Sequence, residues 1–263
     1  MSAYAAIVSA RFRTLLQYRA AALAGLGTQI FWGLIRVMIF EAFYRSSSEA
    51  QAMTLPEVVT YVWLTQALLH LLPFRANSDV RELVRSGHVA YELARPLDLY
   101  SVWYCRALAV RTAPTILRAA PMVALAVPFF GMMLPPSWAA FAWWIPCILA
   151  GLLVTTALTT LMDISMMWTV SGEGVARMLP SLFFVLSGGI IPLPLFPDWA
   201  QPILNALPFR TVVDVPFRVY MGNIPPAEVL PLFLQQLAWA AALILLGRWL
   251  MARGQRKLVV QGG

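Results

Sequence analysis

The sequence predicts an all-α integral membrane protein: six transmembrane helices, an N-terminal interfacial helix, and re-entrant half-helices after the fifth crossing. Three observations carry this prediction. Of 263 residues, 60% are apolar and only 12% are charged, whereas a globular protein is about a quarter charged. Mean hydropathy is +0.72. The apolar residues also gather in stretches near the ~20 residues that a helix needs to cross a bilayer. A disordered chain, a disulfide scaffold and a cytosolic enzyme are excluded, because too little polar surface exists to cover such a core.

The elements follow in chain order. Residues 1–20 hold Arg11, Arg13 and Arg19 and no long apolar core, so no cleavable signal peptide is expected. Tyr4, Ile7, Val8, Phe12, Leu15 and Leu16 recur at helical spacing, which predicts a helix lying on the membrane face rather than a plain extension of the first span. Crossings are read at 21–43, at 56–74, within a stretch ending in 113–133, and at 139–162, 175–191 and 227–250. The second opens with Thr54-Leu55-Pro56-Glu57, a capping box with proline in the first turn. The third contains Pro114, Pro121 and Pro128, near one helix face, as kinks or as prolines tolerated in a packed bundle. The fifth is short.

Charge sets the orientation. Arg11, Arg13, Arg19, Arg75, Arg81, Arg85, Arg95, Arg106, Arg111, Arg177, Arg248, Arg253, Arg256 and Lys257 fall on one side. Arg45, Arg210 and Arg218 fall on the other, and Arg36 and Arg118 lie within spans. This bias puts both termini in the cytoplasm and requires an even number of crossings.

Two segments stand out. Residues 75–100 hold four arginines and four acids (Asp79, Glu82, Glu92, Asp98). They predict a short helix over 79–85, a break at Gly87 and a second element stopped before Pro96. An ordered mixed-charge elbow on the cytoplasmic side suits protein docking better than a bare solvated loop. Residues 187–209 are interrupted by Gly188-Gly189 and then by Pro192, Pro194, Pro197, Pro202 and Pro208, yet stay apolar. Such a segment cannot cross as one helix. Re-entrant structure buried in protein is favoured over an amphipathic loop on the outer leaflet.

Charges at membrane depth are costly and default to functional candidates. Arg36 is the foremost, against snorkelling or contact with a partner helix. Glu41 with Arg45 and Glu173 with Arg177 are i,i+4 pairs, and Asp163 closes the fourth span. Other chemistry is thin. Cys105 and Cys147 have no ligand spacing, and His70 and His88 cannot form a histidine metal cluster. No GxxxxGK, HExxH, GxSxG or CxxC pattern occurs. The charge of +7 is explained by topology, so no nucleic-acid partner is expected.

The chain resembles the ABC-2 type permeases, the membrane subunits of one class of ATP-binding cassette exporters. The resemblance covers nearly its whole length. It rests on the six-span layout, the interfacial helix and the arginine-rich elbow. It rests also on Ser187-Gly188-Gly189-Ile190-Ile191-Pro192, followed by Phe196-Pro197-Asp198-Trp199 and Leu207-Pro208-Phe209. Arg85-Ser86-Gly87, Leu93-Ala94-Arg95-Pro96-Leu97 and the Gln261-Gly262-Gly263 tail are similar to a branch once filed as a domain of unknown function.

The resemblance implies one transmembrane domain over 1–263, with residues 1–20 interfacial, 75–100 a coupling elbow and 187–209 re-entrant. It implies no cofactor on this chain, with ATP and Mg bound by two copies of a cytoplasmic ATPase. The elbow contacts would be Asp79, Arg81, Glu82, Arg85, Gly87, His88, Tyr91, Arg95 and Pro96. The translocation path or gate would include Arg36, Gly188, Gly189, Pro192 and Phe196. A second permease, the same chain or a related one, would complete the assembly in the lipid of a bacterial inner membrane. The substrate would be a hydrophobic or amphiphilic drug, lipid or glycan moving outward. The rivals are a gradient-driven secondary transporter, which would want inverted repeats, a non-transporting membrane scaffold, and an intramembrane enzyme, for which no residue constellation argues.

Overall fold

In the computed structural model, which describes residues 3–17, 19–47, 50–73, 77–168 and 173–256, every regular element is a helix. In chain order they are α1 Ala3–Leu16, α2 Arg19–Ser46, α3 Leu55–Ala67, α4 Ser78–Arg85, α5 Val89–Leu93 and α6 Leu99–Phe129. Then come α7 Trp138–Ser165, α8 Glu173–Leu186, α9 Gln201–Ala206, α10 Asp214–Tyr220 and α11 Pro226–Gln255. The pairing of Glu173 with Arg177, Arg75 and the tail from Lys257 onward lie outside the described residues and side chains.

Among the described residues, four helices are long and apolar enough to cross a membrane: α2 over Ala24–Ser46, α6, α7 and α11. The helices α3 and α8 have 13 and 14 residues. Each rises about 20 Å, short of the ~30 Å hydrocarbon core. Their apolar stretches are longer than their helices because the chain breaks. One break is at Leu68, before the 3-10 turn Leu69–Leu71. The other follows Leu186, where Gly188 takes φ +86.

Breaks in an apolar bundle leave carbonyls without intrahelical partners. Here polar side chains on neighbouring helices supply them. Thr155 Oγ1 of α7 donates to Leu71 O at 2.7 Å. Trp63 Nε1 of α3 donates to Phe130 O at 3.0 Å, and Tyr220 OH to Met133 O at 3.1 Å, both just past the end of α6. Gln236 Nε2 of α11, wholly buried, reaches Thr211 O at 2.5 Å and Cys147 O at 3.1 Å. Arg36 Nη2 of α2 donates to Ile190 O at 2.6 Å, beyond the end of α8.

The helix α6 passes Pro114, Pro121 and Pro128 as one element, so none of the three ends it. Near Pro114, Thr112 and Thr115 hydroxyls donate to Leu108 O and Arg111 O. At the start of α3, Glu57 Oε2 accepts from Thr54 N at 2.6 Å, the return bond of a capping box, and also from Thr54 Oγ1 at 2.8 Å. Glu41 and Arg45 approach to 3.9 Å on an exposed face. Cys147 is buried, Cys105 half-buried, and both are free.

The core runs around α7, which packs on α6, α10 and α11, while α2 lies on α3 and α1 on α6. Close approach of α2 and α3 depends on Gly33, where an added Cβ would sit 2.5 Å from Trp63 Cζ3. Gly27, two turns earlier, faces open space. Gly33→Val should therefore lower stability in detergent by about 1–3 kcal/mol through overpacking. Gly27→Ala should be neutral or stabilise by up to about 1 kcal/mol. Melting followed by size-exclusion fluorescence separates the two.

Candidate functional site

The elbow between α3 and α6 is built on its inner face. Asn77 caps α4, accepting from Asp79 N at 3.0 Å. Its own backbone N donates to Oδ1 of Asp163 at 2.8 Å, and Asp163 is fully buried near the end of α7. Arg11 of α1 pairs with Asp79 at 2.5 Å. Glu92 of α5 is buried and accepts from Trp103 Nε1 at 2.9 Å while pairing with Arg106 at 2.5 Å, both on α6. Asp98 N donates to Tyr4 OH at 3.1 Å, and its carboxylate caps α6 through Ser101 N at 2.9 Å. Val80 and Val89 are buried in one cluster with Leu99, Trp103, Ile164 and Met251, with Tyr4 and Ile7 of α1 packed on it.

The outer face is different. Glu82, Arg85, His88, Arg95 and Pro96 are exposed, and Tyr91 is 72% exposed with its ring 5.7 Å from that of His88. Arg81 is half-buried. Gly87 adopts φ +74 with nothing near its Cβ position, so backbone conformation alone calls for glycine there. The nine elbow residues expected from sequence thus share one short segment, with Asp79 turned partly inward onto Arg11.

A second feature is a cavity of about 1150 Å³ between α2, the end of α3, α6 and the break after α8. Its walls include Trp32, Ile39, Phe40 and Phe43 of α2 and Phe184, Ile190, Ile191 and Leu195. At its elbow-side end the Arg118 guanidinium lies against the backbone of Gly25, where a Cβ would meet it at 2.7 Å. Arg118 Nη1 lies 2.8 Å from His70 Nε2. Gln29, buried, donates through Nε2 to Gln66 O at 3.0 Å, and its Oε1 has no protein partner among the described residues. Arg36 lies eleven positions beyond Gly25 on α2 and reaches the carbonyl of Ile190.

Of the expected path residues, Arg36 and Gly189 line this cavity. Gly188, Pro192 and Phe196 do not. Gly188 is pressed on the Tyr61 hydroxyl, 2.3 Å from where its Cβ would be, Pro192 is buried, and Phe196 packs on the Leu193–Ala200–Leu204 cluster. They shape the break rather than the cavity. Sequence reading did not pick out Arg118, His70, Gln29, Glu92 or the Asn77–Asp163 bond. Gly25 inside a span was an available signal for close approach. Nothing in sequence spacing links Glu92 to Arg106.

Fold and site together define a multi-pass helical membrane protein with an ordered elbow on one side and an apolar, arginine-bearing cavity. A family model described as an ABC-2 family transporter protein matches residues 30–262. The chain belongs to that family. As such it is the transport component of an ABC transporter, carries no ATPase site of its own, and works with an ABC ATPase. No curated protein and no solved structure matches it.

The elbow clasp makes a direct prediction. Glu92→Gln leaves Arg106 unpaired beside buried apolar surface and should cost about 1–3 kcal/mol. Tryptic cleavage after Arg85, in the exposed Arg85–Ser86 bond, should then accelerate. Asp79→Asn breaks a half-exposed pair, costing at most about 1 kcal/mol, and should leave the digestion rate nearly unchanged.

Proposed function

We propose that this chain is the permease subunit of an exporter that moves a hydrophobic or amphiphilic substrate (drug, lipid or glycan) outward across a bacterial inner membrane. In this reading α3 and α8 are short crossings that join the four long helices, giving six. Residues 187–209, with α9, are the re-entrant segment, and both termini are cytoplasmic. Two copies of a cytoplasmic ATPase hold ATP and Mg. A second permease, the same or a related chain, completes the pathway within membrane lipid.

The observation that carries this reading is the two-sided elbow. Its inner face is tied by Glu92, Asp79, Asn77 and Val80 to α1, α6 and α7. Its outer face offers Tyr91, His88, Arg85, Arg95 and Pro96. A segment anchored in this way moves as one body with the helices beneath it, so a partner that grips its outer face can displace them. Thermodynamic coupling is reciprocal, so substrate should change ATP turnover in the assembled complex.

The decisive measurement is a mild-detergent pull-down of the tagged chain with mass spectrometry and an ATPase assay. A stoichiometric ATPase is expected. A lone stable chain would instead favour a gradient-driven carrier or a scaffold. Charge reversal at Arg81 and Arg85 together should reduce the ATPase recovered by at least about tenfold, the loss expected for truncated interfacial charge pairs. Unchanged recovery would sink the docking assignment. Gly188→Leu meets both a positive φ and the Tyr61 hydroxyl. It should leave ATPase assembly intact while transport falls, and normal transport would count against the break as a gate.

A further inference from the structure

We infer that the cavity beside α2 is a binding site for an anionic amphiphile drawn from the bilayer, its acidic headgroup held by one of two arginines, Arg118 or Arg36, and its acyl part by the aromatic wall. The inference rests on the permease reading and narrows its substrate class.

Two features of the cavity select this ligand. Its described lining contains two arginines, Arg36 and Arg118, and no carboxylate. Guanidinium groups form charge-assisted hydrogen bonds to acidic oxygens, and these strengthen in an apolar setting. The lining is otherwise dominated by Trp32, Ile39, Phe43, Phe184 and Ile191, which suit hydrocarbon.

The spacing adds direction. Gly25, against which Arg118 lies, and Arg36 are eleven residues apart on α2. The α2 backbone at Gly25 and at Arg36 is thus about 16 Å apart along the helix axis. A headgroup received near Arg118 on the elbow side would find its next cation at Arg36, while its tail stays against the apolar wall. A guanidinium carries five N–H donors, and Arg36 uses Nη2 on Ile190 O. Arg36 thereby ties the ligand position to the backbone just past Gly188-Gly189. Exposed Trp32, Ile39 and Phe43, at 55%, 61% and 45%, leave the cavity open sideways to lipid.

The test uses the full-length chain in nanodiscs that mix phosphatidylglycerol and phosphatidylcholine of identical acyl chains, with retained lipid read by native mass spectrometry. Phosphatidylglycerol should be retained over phosphatidylcholine by at least about tenfold, the worth of one charge-assisted hydrogen bond. The Arg36→Gln/Arg118→Gln pair should abolish this preference, and Arg36→Lys/Arg118→Lys should keep most of it. Equal retention of both lipids by the unmodified chain overturns the inference. So does an undiminished preference in the glutamine pair, or its complete loss in a folded lysine pair. If the glutamine pair does not fold, the unmodified chain and the lysine pair decide. Displacement of the lipid by glycerol 3-phosphate alone would mean an acid without a tail, and overturns it too. Efficient Trp32→Cys cross-linking between two copies, undiminished by phosphatidylglycerol, would make this face an inter-chain contact and also overturns it. The permease reading is judged separately in the same preparation by ATPase co-purification. Lost lipid selectivity with ATPase retained fails this inference alone.

Discussion

Hydrocarbon offers no hydrogen bonds, so every carbonyl released where a helix stops must find a donor on a neighbouring segment. The architecture is organised by that requirement. The stops at Leu68, after Phe129, at Gly188-Gly189 and around Thr211 are each met by a polar side chain from another helix: Thr155, Trp63 with Tyr220, Arg36, and Gln236. These bonds fix which helices are neighbours. They also explain why threonine, glutamine and tryptophan occur in otherwise apolar helices. Arg36 is one of these donors as well as a cavity residue, so the end of the broken helix and the charge in the cavity are one structural unit.

On the elbow side the problem is reversed, because water can satisfy backbone groups and rigidity must be built. The segment from Asn77 to Asp98 achieves it by burial rather than length. Val80 and Val89 enter a shared core with α6, α7 and α11. Buried Glu92 fixes α5 through two donors on α6. The exposed pair between Arg11 and Asp79 adds register more than stability. Two short helices that would not persist in isolation thus form one body with the membrane helices, and the elbow and cavity are joined through α6, which carries both Arg106 and Arg118.

Much of this was legible in the sequence, and the misses have a common cause. Thr54 with Glu57, the αL position at Gly87 and the stop at Gly188-Gly189 are local, so residue type and spacing report them. The prolines of α6 illustrate the limit. Residue type left Pro114, Pro121 and Pro128 as kinks or as tolerated prolines, and only the fold shows that α6 runs through all three as one element. The lengths of α3 and α8 were overestimated because hydropathy follows apolar character through a break that geometry does not. Gly188, Pro192 and Phe196 were grouped with Arg36 by their place in the chain, and the fold sets them at the break, off the cavity lining that Arg36 and Gly189 share.

The sequence by itself determined that this is a helical membrane protein with an elbow rich in both charges and a broken penultimate segment. Composition and periodicity are properties of the chain alone, and so is the match to the ABC-2 family over residues 30–262. Only the tertiary structure decided that Arg118 meets His70 and Gly25, that Arg36 reaches Ile190, and that Glu92 holds Arg106. Those pairings join residues distant in the chain or on separate helices. They exist because packing brings together polar groups that hydrocarbon gives no other partner.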